Sequence, residues 1–244
     1  NYCVADNIIA NNGSSGIEYN NRSEAGPVPP LHGAVVNNTI TGNGGQQFAF
    51  AGTGILAAEN GGTIDLIEGN RLVKNRPYGI GVFLNAAAGR IVRNTVIDSA
   101  TTSLIVRPTS SVDEIADNVL TGSGVGGIFV DDHSVVKSIR SNVVKGHDRG
   151  LSVLTRSTVT LVEDNAFEDN ATVGIDVGGA SEIATLRSVS ATNNAAGAPA
   201  GGSGVQVRDG SRIGTFEASR VVGDQGQVGF FVTEGSRVTI SGTC

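Results

Sequence analysis

Residues 112–120 read VDEIADNVL, and residues 136–144 repeat the same pattern as VKSIRSNVV. In both stretches an Asn lies three positions after an aliphatic residue and two positions before another. This frame recurs along the chain at intervals of 23 to 32 residues, which indicates a solenoid of stacked repeats. The positions of this first slot are Asn7, Asn38, Asn70, Asn94, Asn118, Asn142, Asn165, Val189, Ser219 and Cys244.

A second polar slot follows the first by five residues, and a Gly before an apolar-x-apolar strand often comes next. These spacings predict strands of about three to five residues with alternating inward and outward side chains, separated by sharp corners. Asn tolerates the left-handed backbone of a corner, and its amide can bond to the coils on both sides. We therefore predict that the Asn slots form structural ladders. The second slot contains Asn12, Asn43, Asn75, Ser99, Ser123, His147, Asn170, Asn194 and Asp224.

The composition agrees with this pattern, since Gly accounts for 35 of 244 residues and Trp and Met are absent. Abundant Val, Ile, Thr and Asn favour strands and tight turns. We predict an all-β fold, a single-stranded right-handed parallel β-helix of about nine coils, forming one domain over residues 1–244. Because the chain begins at Asn1 rather than Met, we expect a fragment or processed part of a longer protein.

The charge of the chain argues against two classes of partner. Its formal net charge is −6, so a basic surface for nucleic acid is not expected. No apolar run approaches the roughly 20 residues of a membrane-spanning helix, so no membrane span is expected either.

The repeat frame resembles that of the pectin lyase-like superfamily of right-handed parallel β-helices, from Val4 to Cys244. The resemblance implies a wide range of functions: polysaccharide lyases and hydrolases, uronate epimerases, phage tailspikes, adhesins and surface proteins. It also implies an extracellular or cell-surface location. The chain departs from the family in lacking an amphipathic N-terminal helix and in having nearly minimal coils between Asn70 and Val189.

The best catalytic candidates are Asp131, Asp132 and His133, which directly follow a predicted strand. They resemble the Asp-Pro-His motif of β-helical mannuronate epimerases, with Asp132 in place of Pro. By that resemblance His133 would act on the C5 proton of a sugar. Arg107, one coil away in an outward position, could neutralise a uronate carboxylate. The alternative is a turn with ordinary polar residues.

Other acidic residues suggest two further chemistries. Asp131 and Asp176, outward residues two rungs apart, could form a substrate-binding or glycosidase-type carboxylate pair about 9–10 Å apart. Four acids of one coil could hold calcium, although they form no ligand loop and solvated surface charge is the alternative. No Cys and His spacing is typical of a structural metal site, so no metal centre or other cofactor is predicted. The four acids are Glu163, Asp164, Glu168 and Asp169.

One outward row is apolar and comprises Leu56, Ile105, Phe129 and Phe231. An exposed apolar patch usually marks a partner, so self-association through this row, or cover by a loop, is expected. Cys3 and Cys244 fall at opposite ends of the stack, roughly 40 Å apart, which excludes an intrachain disulfide between them. Pairing with flanking segments, head-to-tail pairing between chains, and buried thiols at the end coils are the alternatives.

Two functions remain open at this point. The first is a non-catalytic extracellular or surface β-solenoid with a structural, adhesive or glycan-binding role, whose partner would be a polysaccharide or cell-surface glycan. The second is a carbohydrate-active enzyme, a lyase, epimerase or glycanase acting on an extended polysaccharide. The fold alone does not choose between them.

Overall fold

The computed structural model describes residues 2–20, 32–44, 52–59, 62–122, 124–195, 202–223, 228–233 and 235–241. These residues form 28 β-strands and contain no helix, so nothing in them could cross a membrane as a helical span. The predicted all-β parallel solenoid is confirmed. Ser123, Asp224 and Cys244, which the slot analysis used, lie outside the described residues.

The strands form three parallel sheets, which we call A, B and C in the order in which the chain visits them. Within the described residues the sheets contain ten, nine and nine strands, respectively. Each strand pairs with the strand three places further along the chain, so one circuit contributes one strand to every sheet. Such a circuit cannot bury its own apolar side chains, but stacking produces a continuous core.

The strand bounds follow this order closely. Sheet A contains β1 (Tyr2–Ala5), β4 (Gly33–Val36), β7 (Thr63–Glu68), β10 (Ala87–Val92), β13 (Ser111–Ala116), β16 (Val135–Arg140), β19 (Thr158–Glu163), β22 (Glu182–Arg187), β25 (Arg212–Glu217) and β28 (Arg237–Ile240). Sheet B contains β2 (Ile8–Ala10), β5 (Thr39–Thr41), β8 (Arg71–Val73), β11 (Thr95–Ile97), β14 (Val119–Thr121), β17 (Val143–Lys145), β20 (Ala166–Glu168), β23 (Ser190–Asn194) and β26 (Arg220–Gly223). Sheet C contains β3 (Ile17–Asn20), β6 (Ile55–Ala58), β9 (Tyr78–Phe83), β12 (Thr102–Arg107), β15 (Gly126–Val130), β18 (Arg149–Val153), β21 (Val173–Val177), β24 (Ser203–Val207) and β27 (Val228–Val232).

The core is a set of aliphatic columns, because the register places like residues above one another. Leu104 pairs with Ile128, which in turn pairs with Leu151, and all three are fully buried. Each fully buried aliphatic side chain contributes roughly 1.5–3 kcal/mol before conformational entropy is subtracted. The columns therefore hold the stack together without a disulfide.

The corner between sheets A and B carries the predicted Asn ladder. The backbone N–H and the amide Nδ2 of Asn94 both donate to Oδ1 of Asn118, at 2.9 and 3.0 Å. Asn118 in turn donates from Nδ2 to the carbonyl of Ile91 at 2.8 Å. The residue before it, Asp117, has a left-handed φ of 56°. The Asn side chains thus replace the backbone hydrogen bonds that the turn cannot make.

The corner between sheets C and A carries a serine ladder that the sequence analysis missed. In the central pair, the backbone N–H of Ser134 donates to Oγ of Ser157 at 3.2 Å. The spacing of these serines repeats that of the Asn slots, but Ser is frequent elsewhere in the chain and did not stand out. The ladder comprises Ser110, Ser134, Ser157, Ser181 and Ser211.

The connections differ in how much length they tolerate. Every connection from sheet A to sheet B has two residues, as between Val92 and Thr95. The long connections all border sheet C, such as the one between Asn20 and Gly33 and the one between Asn194 and Ser203. Variation in coil length is therefore confined to the borders of sheet C, where solenoids commonly place binding loops.

Candidate functional site

The candidate site is the outward face of sheet C, which carries Arg107, Asp131 and Asp176. Its strands alternate, so that Ile128 and Val130 enter the core while Phe129 faces outward. The register creates two outward rows. Successive residues within a row lie on neighbouring strands, about 4.8 Å apart. The first outward row contains Leu56, Gly81, Ile105, Phe129, Ser152, Asp176, Gln206 and Phe231. The second outward row contains Ala58, Phe83, Arg107, Asp131, Leu154, Gly178 and Arg208.

Arg107 and Asp131 are neighbours in the second outward row. Arg107 Nε lies 3.8 Å from Asp131 Oδ2, too far for a direct hydrogen bond. Arg107 Nε and Asp131 Oδ1 are both buried, and neither has a hydrogen-bond partner among the described residues. A buried donor or acceptor without a partner costs about 1–3 kcal/mol. A bound group that both accepts and donates a hydrogen bond would complete this pair.

Asp132 and His133 belong to the corner that follows Asp131. Asp132 Oδ1 lies 3.0 Å from His133 Nδ1, and both side chains are exposed or nearly so. Their φ angles of 56° and 62° are left-handed, as are those of Thr155 and Arg156 at the same corner of the next coil. Their backbone geometry is therefore that of the corner in general. The predicted catalytic trio is divided, because Asp131 pairs with Arg107 and Asp132 pairs with His133.

Asp176 is a buried ion-pair centre, only 1% exposed. It accepts hydrogen bonds from Arg149 Nη1 at 2.9 Å and from Arg208 Nε and Nη2, both at 3.0 Å. The hydrogen bonds from Arg208 to Asp176 raise the pKa of the Arg208 guanidinium. Gly178 gives that guanidinium room, because a Cβ at this position would lie 2.9 Å from Arg208 Cζ.

The carboxylate pair of Asp131 and Asp176 stays a prediction, and the structure gives the two acids different surroundings. Asp176 pairs across the sheet with Ser152, which pairs with Phe129, so the two acids occupy different outward rows. The carboxylate of Asp176 is also committed to two arginines. It therefore lacks the access to solvent that a general acid or base for a polymeric substrate needs.

Several buried polar atoms on this part of sheet C have no partner in the described part of the chain. Ser152 Oγ, Ser203 Oγ and Arg149 Nε are buried and have no hydrogen-bond partner within the described ranges. The guanidiniums remain accessible, since the side chains of Arg149 and Arg208 are 34% and 29% exposed. This part of the face thus combines accessible donors with polar groups that internal contacts leave unsatisfied.

The apolar part of the first outward row is largely covered within the chain. Leu56 and Ile105 are only 3% and 2% exposed, so the prediction of an exposed row is wrong for them. The reason is Phe83, which lies over Gly81 between them; a Cβ at Gly81 would lie 2.3 Å from Phe83 Cε2. At the other end of the row, Phe231 is 42% exposed. Self-association through the row stays a prediction, and Phe231 is the residue of the row whose exposure supports it.

A family model for the right-handed β-helix region matches residues 81–244, more than half of the chain. The chain belongs to the right-handed β-helix family. This membership agrees with the resemblance to pectin lyase-like proteins and establishes the fold. Neither the curated proteins nor the solved structures contain a match to the chain.

The acids proposed for calcium do not converge in this β-helix. Glu163 accepts from Arg187 at 2.6 Å, and Asp169 pairs with Lys145 at 2.8 Å. Throughout the described ranges, no group of three or more acids, His or Cys has the geometry to hold a metal ion. Cys3 is an exposed free thiol.

Three residues of the candidate site escaped the sequence analysis: Arg149, Arg208 and Ser152. The repeat contained a signal for Ser152, because it lies one interval of 24 residues before Asp176 in the same slot. Arg149 lies at the start of its strand and Arg208 just after its strand, where the slots show no pattern. Their convergence on Asp176 depends on side-chain reach across the rungs.

Proposed function

We propose that this β-helix is a non-catalytic, extracellular or surface glycan-binding protein that binds an extended polysaccharide along the outward face of sheet C. The observation that carries the proposal is the unsatisfied pair of Arg107 Nε and Asp131 Oδ1. A sugar hydroxyl both accepts and donates hydrogen bonds, so it offers what each group lacks, and the Arg107 side chain, which is 40% exposed, can move to admit it.

The surroundings of this pair suit a saccharide. Phe129 lies next to Asp131 on the outward face and is partly buried, so its ring offers an apolar surface. Binding sites for small polar molecules commonly combine apolar surface with a few fixed polar groups. Parallel strands extend the face by one rung every ~4.8 Å, so a polymer can contact several rungs at once.

The test is affinity electrophoresis of the full chain through gels containing a panel of plant, bacterial and animal polysaccharides. Asp131→Asn should weaken binding to the retarding glycan at least about tenfold, because a hydrogen bond to a charged group contributes about 1.5–3 kcal/mol. Arg107→Gln should act in the same direction. Arg90→Gln is the matched control, since Arg90 forms an ion pair with Glu114 on sheet A, away from the face.

Retardation by no polysaccharide would overturn the proposal. Equal retardation of the wild type and Asp131→Asn would place the binding elsewhere. Thermal unfolding of each variant distinguishes lost binding from lost fold.

A carbohydrate-active enzyme is the second candidate, favoured by the 3.0 Å contact of Asp132 and His133 directly after Asp131. Incubation with alginate, pectate and glycosaminoglycans, followed by the absorbance of unsaturated products and by reducing-end release, tests it. Activity that disappears in His133→Ala and Asp131→Ala would replace the non-catalytic proposal. Absence of unsaturated products and of released reducing ends across the panel would exclude this alternative for those substrates.

A further inference from the structure

We infer that the glycan bound by this face is neutral, recognised through its hydroxyl groups along the part of the first outward row that runs from Phe129 to Phe231. The inference rests on the proposed glycan-binding function and adds the class of ligand. Five adjacent strands carry this segment, which we call the bracketed row; it contains Phe129, Ser152, Asp176, Gln206 and Phe231.

The first argument is charge. Each of the three arginines of this face already faces a carboxylate: Arg107 faces Asp131, while Arg149 and Arg208 share Asp176. Two further acids lie at the edge of the face: Asp148 lies 3.9 Å from Arg149 Nε, too far for a hydrogen bond, and Asp209 accepts from Arg208 Nη1 at 2.5 Å.

These three guanidiniums therefore meet four carboxylates, on a chain whose formal net charge is −6. A polyanion approaching these three guanidiniums would meet an excess of carboxylate charge, and none of the three is without an acidic neighbour. A neutral ligand avoids this repulsion.

The second argument is hydrogen-bond chemistry. Arg107 Nε needs an acceptor, whereas Asp131 Oδ1 needs a donor. A carboxylate or sulfate can only accept hydrogen bonds, so it would satisfy Arg107 but could not donate to Asp131 and would be repelled by its charge. A hydroxyl satisfies both groups.

The third argument is the shape of the bracketed row. Its polar centre is Ser152, Asp176 and Gln206, and an aromatic ring stands at each end. Four rungs of ~4.8 Å separate the two rings by about 19 Å, which is the length of a short oligosaccharide segment rather than of one ring. Aromatic rings supply apolar surface for sugar C–H groups, and the two arginines bound to Asp176 supply hydrogen bonds to hydroxyls.

The accessible contacts in the polar centre are the guanidiniums of Arg149 and Arg208, because Asp176 itself is buried beneath them. Asp176 fixes the two guanidiniums side by side, which reduces the entropy lost when they bind. Asp176 therefore acts as a positioning residue in this proposal.

The test compares polygalacturonate with its carboxyl-reduced form, which has the same linkages without the charge, beside neutral galactan, mannan, xylan and β-glucan. Binding of the full chain is measured by affinity electrophoresis and calorimetry. We expect at least one neutral polymer to bind at least about tenfold more tightly than any acidic one. We also expect its dissociation constant to change less than about twofold between roughly 50 and 500 mM NaCl.

Two variants locate the ligand. Arg149→Gln should weaken binding about tenfold while Asp176 keeps its two bonds to Arg208, and Phe231→Ala should weaken it several-fold. The matched controls are Arg90→Gln and Ile240→Ala, which change an ion-paired arginine and an exposed apolar residue on sheet A. Both controls should bind as the wild type does.

The outcomes separate the two proposals. Tighter binding of the acidic polymer, with strong weakening by salt, would overturn the neutral ligand and leave glycan binding intact. Neutral binding that Arg149→Gln and Phe231→Ala leave unchanged would overturn the bracketed row as the site. Failure to bind any polymer would overturn glycan binding itself.

Discussion

Ser103 Oγ and His147 Nε2 are hydrogen bonded at 2.9 Å, although 44 residues separate them in the chain. His147 occupies the second polar slot, and its backbone N–H donates to Asn170 Oδ1 at 3.1 Å as an Asn there would. The imidazole reaches past the intervening coil at Gly127, where a Cβ would lie 3.4 Å from His147 Nδ1. His147 therefore bonds to Asn170 on one side, as a ladder Asn would, and to Ser103 on the other.

The first prediction concerns the pH dependence of stability. Burial lowers the pKa of His147 from 6.5 to about 4. Because the unfolded state takes up the proton more readily, the stabilisation is complete above pH 6.5 and is lost as the pH falls towards 4. The loss from this group amounts to about 3 kcal/mol. Urea unfolding of the wild type and of His147→Asn between about pH 7.5 and 4.5 measures it. Parallel pH profiles for the two proteins would contradict a buried neutral imidazole.

The second prediction concerns the Asn ladder. Asn118→Ala should lower the free energy of unfolding by at least about 3 kcal/mol, because several buried groups of Asn94, Ile91 and Asn142 lose their partner. Asn7→Ala, at the exposed first rung, should cost less than about 1 kcal/mol. Chemical denaturation followed by far-UV circular dichroism measures both. Similar costs at the two positions would show that burial does not govern the ladder.

The third prediction concerns the tight corner beside His147. Gly127→Ala would place a Cβ 2.1 Å from Val144 Cγ1 and 2.7 Å from the carbonyl oxygen of Gly150. Overpacking of this kind costs about 1–3 kcal/mol, and contact with backbone leaves little room for relaxation. Gly13→Ala is the control, since a Cβ there meets no atom within 4 Å. Thermal unfolding should show a lower Tm only for Gly127→Ala. An unchanged Tm would mean that the neighbouring coils move apart to admit the Cβ at little cost in free energy.

The fourth prediction concerns the ion-pair centre. Arg208→Gln removes two of the three hydrogen bonds of the buried Asp176 carboxylate, so the free energy of unfolding should fall by about 3 kcal/mol. Adding Asp176→Asn should restore part of this loss, because the uncompensated charge disappears. Arg212→Gln, which breaks the exposed pair with Glu182, should change stability little. Lack of rescue in the double variant would show that packing of the Arg208 side chain, rather than charge, supplies the stability.

Much of the candidate site follows from register. The alternation of strand residues predicted that Arg107 and Asp131 are outward neighbours, and the structure places them 3.8 Å apart. The same reasoning did not predict that Asp176 is buried, because it lies beneath the long side chains of Arg149 and Arg208 from other coils. Side-chain reach of this kind has no counterpart in the slot pattern.

The sequence by itself determined the winding of the chain. Its aliphatic residues and its Asn slots return after each circuit. Parallel stacking buries the aliphatic residues and lets each Asn form hydrogen bonds with neighbouring coils, as Asn118 does with Ile91. The tertiary structure alone decided what the outward face of sheet C presents. Phe83 covers Leu56 and Ile105, because Gly81 leaves space for its ring, and two arginines close over Asp176. A repeat period specifies which side of the sheet a residue occupies. Whether an outward side chain is buried, and which ion pair it forms, depends on the rotamers of residues far away in the chain.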